Sequence, residues 1–168
     1  MSPDEPSVVL RALLAQDADE LARWSRDESL RRAAGWSDRP EDEHRAHHLS
    51  LVAAPPTDLI RLAATHDGHL VGHVDLYGRS PHRRELGFLV GPRQRWGRGL
   101  GLAAARAGLH HGFTVLGLTE IWAEAFDTNH ASIRILRRLG MTETGEGGTG
   151  EHLGLPARYR QFVITAGE

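Results

Sequence analysis

The stretch from Glu85 to Gly101 constrains this chain more than any other. An apolar strand pattern, Glu85-Leu86-Gly87-Phe88-Leu89-Val90, runs into an arginine- and glycine-rich loop, Gln94-Arg95-Trp96-Gly97-Arg98-Gly99-Leu100-Gly101. The loop opens directly into an alanine-rich stretch of helical character. A strand, a glycine turn and a helix N-terminus in that order leave several backbone N–H groups without an intrahelical partner and aim them at one place. Glycine keeps side chains from standing between those donors and an anion. Glu85, at the start of the strand, adds a candidate base. The layout suits an enzyme that holds a phosphorylated cofactor and takes up a proton beside it.

Composition narrows the chemistry further. The chain has 168 residues, which fit a single domain spanning 1–168 with a substantial core. A net charge of −2 gives no global attraction to nucleic acid or to an anionic membrane, so neither is an expected partner. Cysteine is absent, which removes disulfides, thiolate metal sites and a cysteine nucleophile. Lysine is absent too, and with it a Schiff-base lysine and the lysine of a phosphate-binding P-loop. Met1 to Pro6 lacks the charged and apolar regions of a signal peptide, and no apolar run reaches bilayer length. The expected location is cytoplasmic.

Along the chain, periodicity and turn residues predict one mixed α/β domain. Val8 to Leu13 reads as a strand. Asp17 is placed to cap a helix running to about Arg26, with Leu21 and Trp24 on one face. Glu28 to Ala34 reads as a short helix ended by Gly35. Pro40 opens a charged, histidine-rich helix that stops before Pro55-Pro56. Leu59 to Thr65 and Leu70 to Leu76 form a hairpin around Asp67-Gly68. Arg83 to Val90 is the next strand. A helix from Gly99 to about Val115 follows, with Ala103, Ala104, Ala107 and Gly108 as its small packing face. Ile121 to Phe126 reads as a strand, Ser132 to Leu139 as a helix ended by Gly140, and Arg158 to Thr165 as a final strand. The glycine cluster from Gly145 to Gly154 reads as a loop or a frayed strand.

Three readings compete for the glycine loop. A dinucleotide-binding turn needs a third glycine where Leu102 stands, early in a parallel-sheet unit. A nucleotide P-loop fails for want of its Gly-Lys-Ser/Thr ending. An acyl-CoA pyrophosphate loop, Gln/Arg-x-x-Gly-x-Gly/Ala, is matched by Gln94-Arg95-Trp96-Gly97-Arg98-Gly99. On these residues the chain resembles the GNAT superfamily of acyl-CoA-dependent N-acetyltransferases, and most of all its RimJ/RimL-type branch. Val71-Gly72-His73-Val74-Asp75-Leu76 resembles that branch's "IGxxxL" strand, Glu85 to Val90 its "EIGYWL" strand and Trp96-Gly97-Arg98-Gly99 its "WGKG" loop. Asn129 to Met141 resembles "NxxSxxxxxKxGF". The resemblance is loose at the N-terminus and close from about Val71 to Met141.

The resemblance implies the GNAT fold, a twisted, mostly antiparallel mixed sheet flanked by helices and splayed where acetyl-CoA enters. It implies that backbone amides from Trp96 to Gly101 bind the CoA pyrophosphate, with Arg93, Gln94, Arg95 and Arg98 adding polar contact and positive charge. Backbone groups of Phe88, Leu89 and Val90 would pair with the pantetheine, as would Asn129. Glu85 is the implied general base, against the plainer reading of a strand carboxylate paired with Arg83 or Arg84. Leu136 stands where many members carry a tyrosine acid. Ser132 is the branch's implied partner of the thiolate, unless it only caps its own helix. No metal is implied.

The acceptor is a primary amine, either a peptide N-terminus or a small molecule. The near-neutral charge and Glu41-Asp42-Glu43 favour a small cation. Asp75 is a second carboxylate that could orient it, and Trp36 lies in the region that covers the substrate. His44, His47 and His48 share a helix face expected to be solvated. Two alternatives stay open: a non-catalytic acyl-CoA-binding or sensor domain of the same fold and, further out, a dinucleotide-dependent enzyme; a homodimer is open as well.

Overall fold

The hairpin prediction rests on a turn that only certain residues can make, and the turn is there. Asp67 and Gly68 both take positive φ, 49° and 77°, as a two-residue turn requires. It joins β2 (Leu59–His66) to β3 (His69–Tyr77). The computed structural model describes residues 4–167; residues 1–3 and 168 lie outside the description. The remaining strands are β1 (Val9–Ala12), β4 (Arg83–Val90), β5 (Glu120–Phe126), β6 (Thr142–His152) and β7 (Leu155–Thr165). The helices are α1 (Ala15–Trp24), α2 (Glu28–Ala34), α3 (Glu41–Ala53), α4 (Leu100–Thr114) and α5 (His130–Arg138).

One seven-stranded sheet runs in the order β1-β2-β3-β4-β5-β7-β6. Neighbours are antiparallel except β4 and β5, which run parallel and pair only from Arg83–Glu85 to Glu120–Trp122. Beyond Glu85 the two strands part. From Leu86 to Val90, β4 is bonded to β3 on one side and has no strand on the other. This wedge is the feature of the fold that matters for function.

Helices cover both faces. Val74, Leu76, Leu86, Ile121, Ala123 and Phe162 form a core with α4 and α5. Leu21, Trp24, Leu30, Ala63 and Leu70 form a second, smaller core under α1 and α2. The close approach of α4 depends on small residues. A Cβ on Gly108 would stand 2.6 Å from Val74 Cγ1 and 2.8 Å from Leu86 Cδ1. The α4 packing face is half the one expected. Ala104, Ala105, Gly108 and Gly112 are buried, whereas Ala103 and Ala107 are only partly covered.

Three further expectations change. Asp17 does not cap α1; the helix begins earlier, after Leu14, and Asp17 sits at its third position. From there its carboxylate accepts a hydrogen bond from Leu14 N–H (2.8 Å) and a bidentate pair from Arg11 (2.7 and 2.9 Å). Of the two readings of the glycine cluster the loop fails: most of it is β6, an exposed edge strand with two register irregularities against β7. Its pairing with β7 holds it where composition argues for a loop. His44 and His48 are not solvated: both are buried and pack around Trp36, at ring-centroid distances of 5.7 and 5.3 Å, while His47 is exposed. Among the described residues no cluster of His, Asp or Glu has the makings of a metal site.

Candidate active site

The wedge between β4 and β5 opens onto a cleft of about 420 Å³ on the α4–α5 side of the sheet. Sequence-distant residues meet in it: Phe88 and Val90 from β4, Trp96 to Gly101 around the loop, and Asn129 and Ser132 at the start of α5. Gly97 and Gly99 take φ of 75° and 81°, which a side chain would strain. Gly99 is the N-cap of α4 and offers no capping side chain, so the first-turn amides of α4 are left for an external acceptor. Asn129 caps α5 through its Oδ1, which accepts from Ser132 N–H at 3.2 Å. The Ser132 hydroxyl has no hydrogen-bond partner among the described residues and lines the cleft. Helix-terminal amides, positive-φ glycines and an unpaired strand edge in one elongated cleft fit a phosphorylated ligand with an amide-bearing tail.

The predicted arginines separate on inspection. Arg93 is paired with Asp27 at 2.9 Å. Arg95 lines the cleft but spends its guanidinium on the carbonyls of Leu70 (2.8 Å) and Gly91 (3.0 Å), fastening the loop to β3. Arg98 alone of the three has no partner among the described residues. Trp96 donates from Nε1 to the Val90 carbonyl at 2.7 Å, so that carbonyl is already engaged. Leu89 and Gln94 do not line the cleft, whereas Arg134 and Arg138 of α5 do. The motif reading passed over both arginines because they look like the solvent face of an amphipathic helix.

Glu85 lies on the other face of the sheet. Strand alternation sends Ile121, Ala123 and Ala125 into the core and Trp122, Glu124 and Phe126 to the opposite side. Glu85 is in register with Trp122 and with Tyr77 of β3, so its side chain joins that second set. It makes no hydrogen bond or ion pair among the described residues. Arg83 instead pairs with Glu120 and lies 5.1 Å over the Trp122 ring, and Arg84 donates to the Leu76 carbonyl at 3.3 Å. Burial, and then the neighbouring Glu124 carboxylate, push the Glu85 carboxyl up to about 7 against the pull of Arg83. Glu124 was not legible as a site residue, since one acid in a strand of apolar neighbours carries no signal.

Asp75 and Trp36, both assigned to the acceptor, are otherwise occupied. Arg61 donates Nε and Nη2 to the two Asp75 oxygens at 2.7 and 2.8 Å, and His73 Nδ1 lies 3.3 Å away. Burial favours the neutral carboxyl, but the neighbouring His73 and Arg61 together outweigh it and hold Asp75 well below the usual carboxylate range. The same burial keeps His73 neutral. Trp36 packs against the second core and the buried imidazoles of α3.

Comparison with known proteins agrees with this architecture. The model of the acetyltransferase (GNAT) domain matches residues 7–142. Over 82 residues the chain is 35% identical to the spermidine N(1)-acetyltransferase of Escherichia coli (strain K12), a match covering 48% of this chain and 44% of that protein. The similarity thus spans less than half the length of that relative. Among solved structures, an acetyltransferase (GNAT family) from Bacillus anthracis superposes with a TM-score of 0.81 at 20% identity over 98% of each chain. Mycobacterium smegmatis RimJ in complex with CoA-disulfide superposes with a TM-score of 0.80 at 24% identity, over 95% of this chain and 82% of that one. At these identities the structural likeness is one of fold.

Proposed function

Since the chain belongs to the GNAT acetyltransferase family, we propose that it transfers an acetyl group from acetyl-CoA to the primary amine of a small cationic molecule, with Glu85 as general base. The observation that carries this reading is the wedge itself. It joins a cleft built for a phosphorylated thioester on one face of the sheet to a half-buried carboxylate of raised proton affinity on the other.

Acetyl-CoA supplies the activated acetyl group. The amides at the start of α4 and Arg98 are placed for its phosphates, and the unpaired edge of β4 and Asn129 for its amide-bearing arm. A β4 N–H on that edge also offers the kind of fixed donor that stabilises a developing oxyanion, whose loss typically costs roughly 3–4 kcal/mol. Glu85 takes the proton of the incoming ammonium, directly or through water; a carboxylate near neutrality is matched to that task. The Ser132 hydroxyl is free to donate toward the departing sulfur. The acceptor reading is supported by the acidic pair Glu85 and Glu124 and by the spermidine-acetylating relative. We place the reaction in the cytoplasm.

Calorimetry with acetyl-CoA, and with NAD as control, is the first test; micromolar binding of acetyl-CoA alone is expected. Glu85→Gln should then lower kcat/KM for spermidine by roughly 10²–10⁴-fold while acetyl-CoA binding stays within about twofold. Binding without transfer to any amine of a panel would return the chain to a non-catalytic acyl-CoA sensor.

A further inference from the structure

We propose that Glu124 is the positioning residue of Glu85: a second carboxylate, held by Gln161 on the adjacent strand, that makes Glu85 the acid taking the acceptor's proton. The proposal rests on the reading of Glu85 as base and deepens it.

The geometry assigns the two acids different roles. Glu85 is opposite Trp122 in the β4–β5 register, and Glu124 follows Trp122 on the same face. Across the sheet Glu124 is in register with Gln161 of β7, whose Nε2 donates to Glu124 Oε2 at 3.1 Å. This amide donor fixes the Glu124 carboxylate in place on the face that Glu85 shares. Glu85 receives no such donor and is left to accept the proton. A second carboxylate on the same face raises the proton affinity of Glu85, which has no hydrogen-bond donor of its own among the described residues.

The arrangement is held from the third strand as well. A Cβ on Gly147 of β6 would stand 2.9 Å from Gln161 Nε2, 3.1 Å from Glu124 Oε2 and 3.1 Å from Tyr159 Cβ. Only a residue without a side chain leaves the Gln161–Glu124 hydrogen bond undisturbed there, which gives the glycine-rich edge strand a part in the site. Arg83 opposes Glu124 at Glu85, but it and the other groups on that face have partners of their own or are neutral. Arg83 is engaged by Glu120 and Trp122, Asp75 by Arg61, and Tyr159 is held protonated by burial, Glu124 and Glu85. Tyr77 is opposite Glu85 across β3 and half exposed, leaving that approach open to an acceptor.

Carboxyl ¹³C NMR titration of the unliganded protein tests this without turnover. In the wild type Glu85 should titrate near 7. In Glu124→Gln the Glu85 midpoint should fall by about half a pH unit or more, and Glu124→Asp should move it the same way by less. The acid limb of kcat/KM with spermidine should follow the NMR midpoint in each variant. A Glu85 midpoint unmoved in both variants overturns the proposal. The base reading fails separately: a shifted NMR midpoint together with unimpaired turnover by Glu85→Gln would leave the tuning in place and remove its catalytic use.

Discussion

Glu85 holds a proton that most surface glutamates would lose, and this has consequences for both rate and stability. If it must be ionised to work, kcat/KM falls below an apparent midpoint of about 7, and Glu85→Gln removes that limb along with most of the rate. For stability the sign is opposite to that of a salt-bridged acid. The folded-state pKa lies above the unfolded one, so the group favours the fold at low pH and loses that contribution as pH rises through about 7. Glu85→Gln is therefore expected to melt at higher temperature than the wild type at pH 8, an advantage that shrinks as pH approaches about 5. Asp75 behaves conversely: its depressed pKa favours the fold above the ordinary carboxylate range and is lost on strong acidification. Arg61→Ala leaves that buried carboxylate unpaired and should destabilise by roughly 3–5 kcal/mol in denaturant titration. Glu85 could be found in the sequence because it opens a motif. Glu124 and Arg61 could not, because their partners come from other strands, and a register is not written in either strand alone.

At the scale of elements, glycine decides how closely pieces approach. A Cβ on Gly72 of β3 would fall 1.8 Å from the Leu89 carbonyl oxygen, so Gly72→Ala must push β4 away from β3. The displaced segment is the one that borders the wedge. Weaker acetyl-CoA binding by calorimetry is expected from a protein that still folds, together with a lowered melting temperature. Gly108→Ala acts on α4 instead, overpacking it against Val74 and Leu86 at about 1–3 kcal/mol, with the cofactor loop intact. Local signals served well where the chain marks its own ends: α2 runs from Glu28 to Ala34 and stops at a left-handed Gly35, as expected, and the structure adds an Asp27 cap at its start. They failed at β6, where glycines that look like a loop are held by β7, and at α3, where histidines that look solvated are drawn under Trp36. In both places tertiary contacts overrode local preference.

For the whole molecule, the parallel seam between β4 and β5 is short, three residue pairs joining β1–β4 to the β5–β7–β6 half. A ligand that fills the wedge touches both halves. Saturating acetyl-CoA at about a hundred times its Kd should add roughly 2.7 kcal/mol of stability, with the gain in amide-exchange protection concentrated at residues 86–90 and 124–132. Motifs read from the sequence showed that a wedge should exist beside β4. They did not show the strand order β5-β7-β6, nor that the two carboxylates and the cleft lie on opposite faces. That opposition has a kinetic consequence. On the proposed reading donor and acceptor enter by separate doors, and neither blocks the other's departure. Initial-rate and product-inhibition patterns should show random order, with an unreactive amine competing against the acceptor and not against acetyl-CoA. A strictly ordered pattern would mean that binding on one face remodels the other.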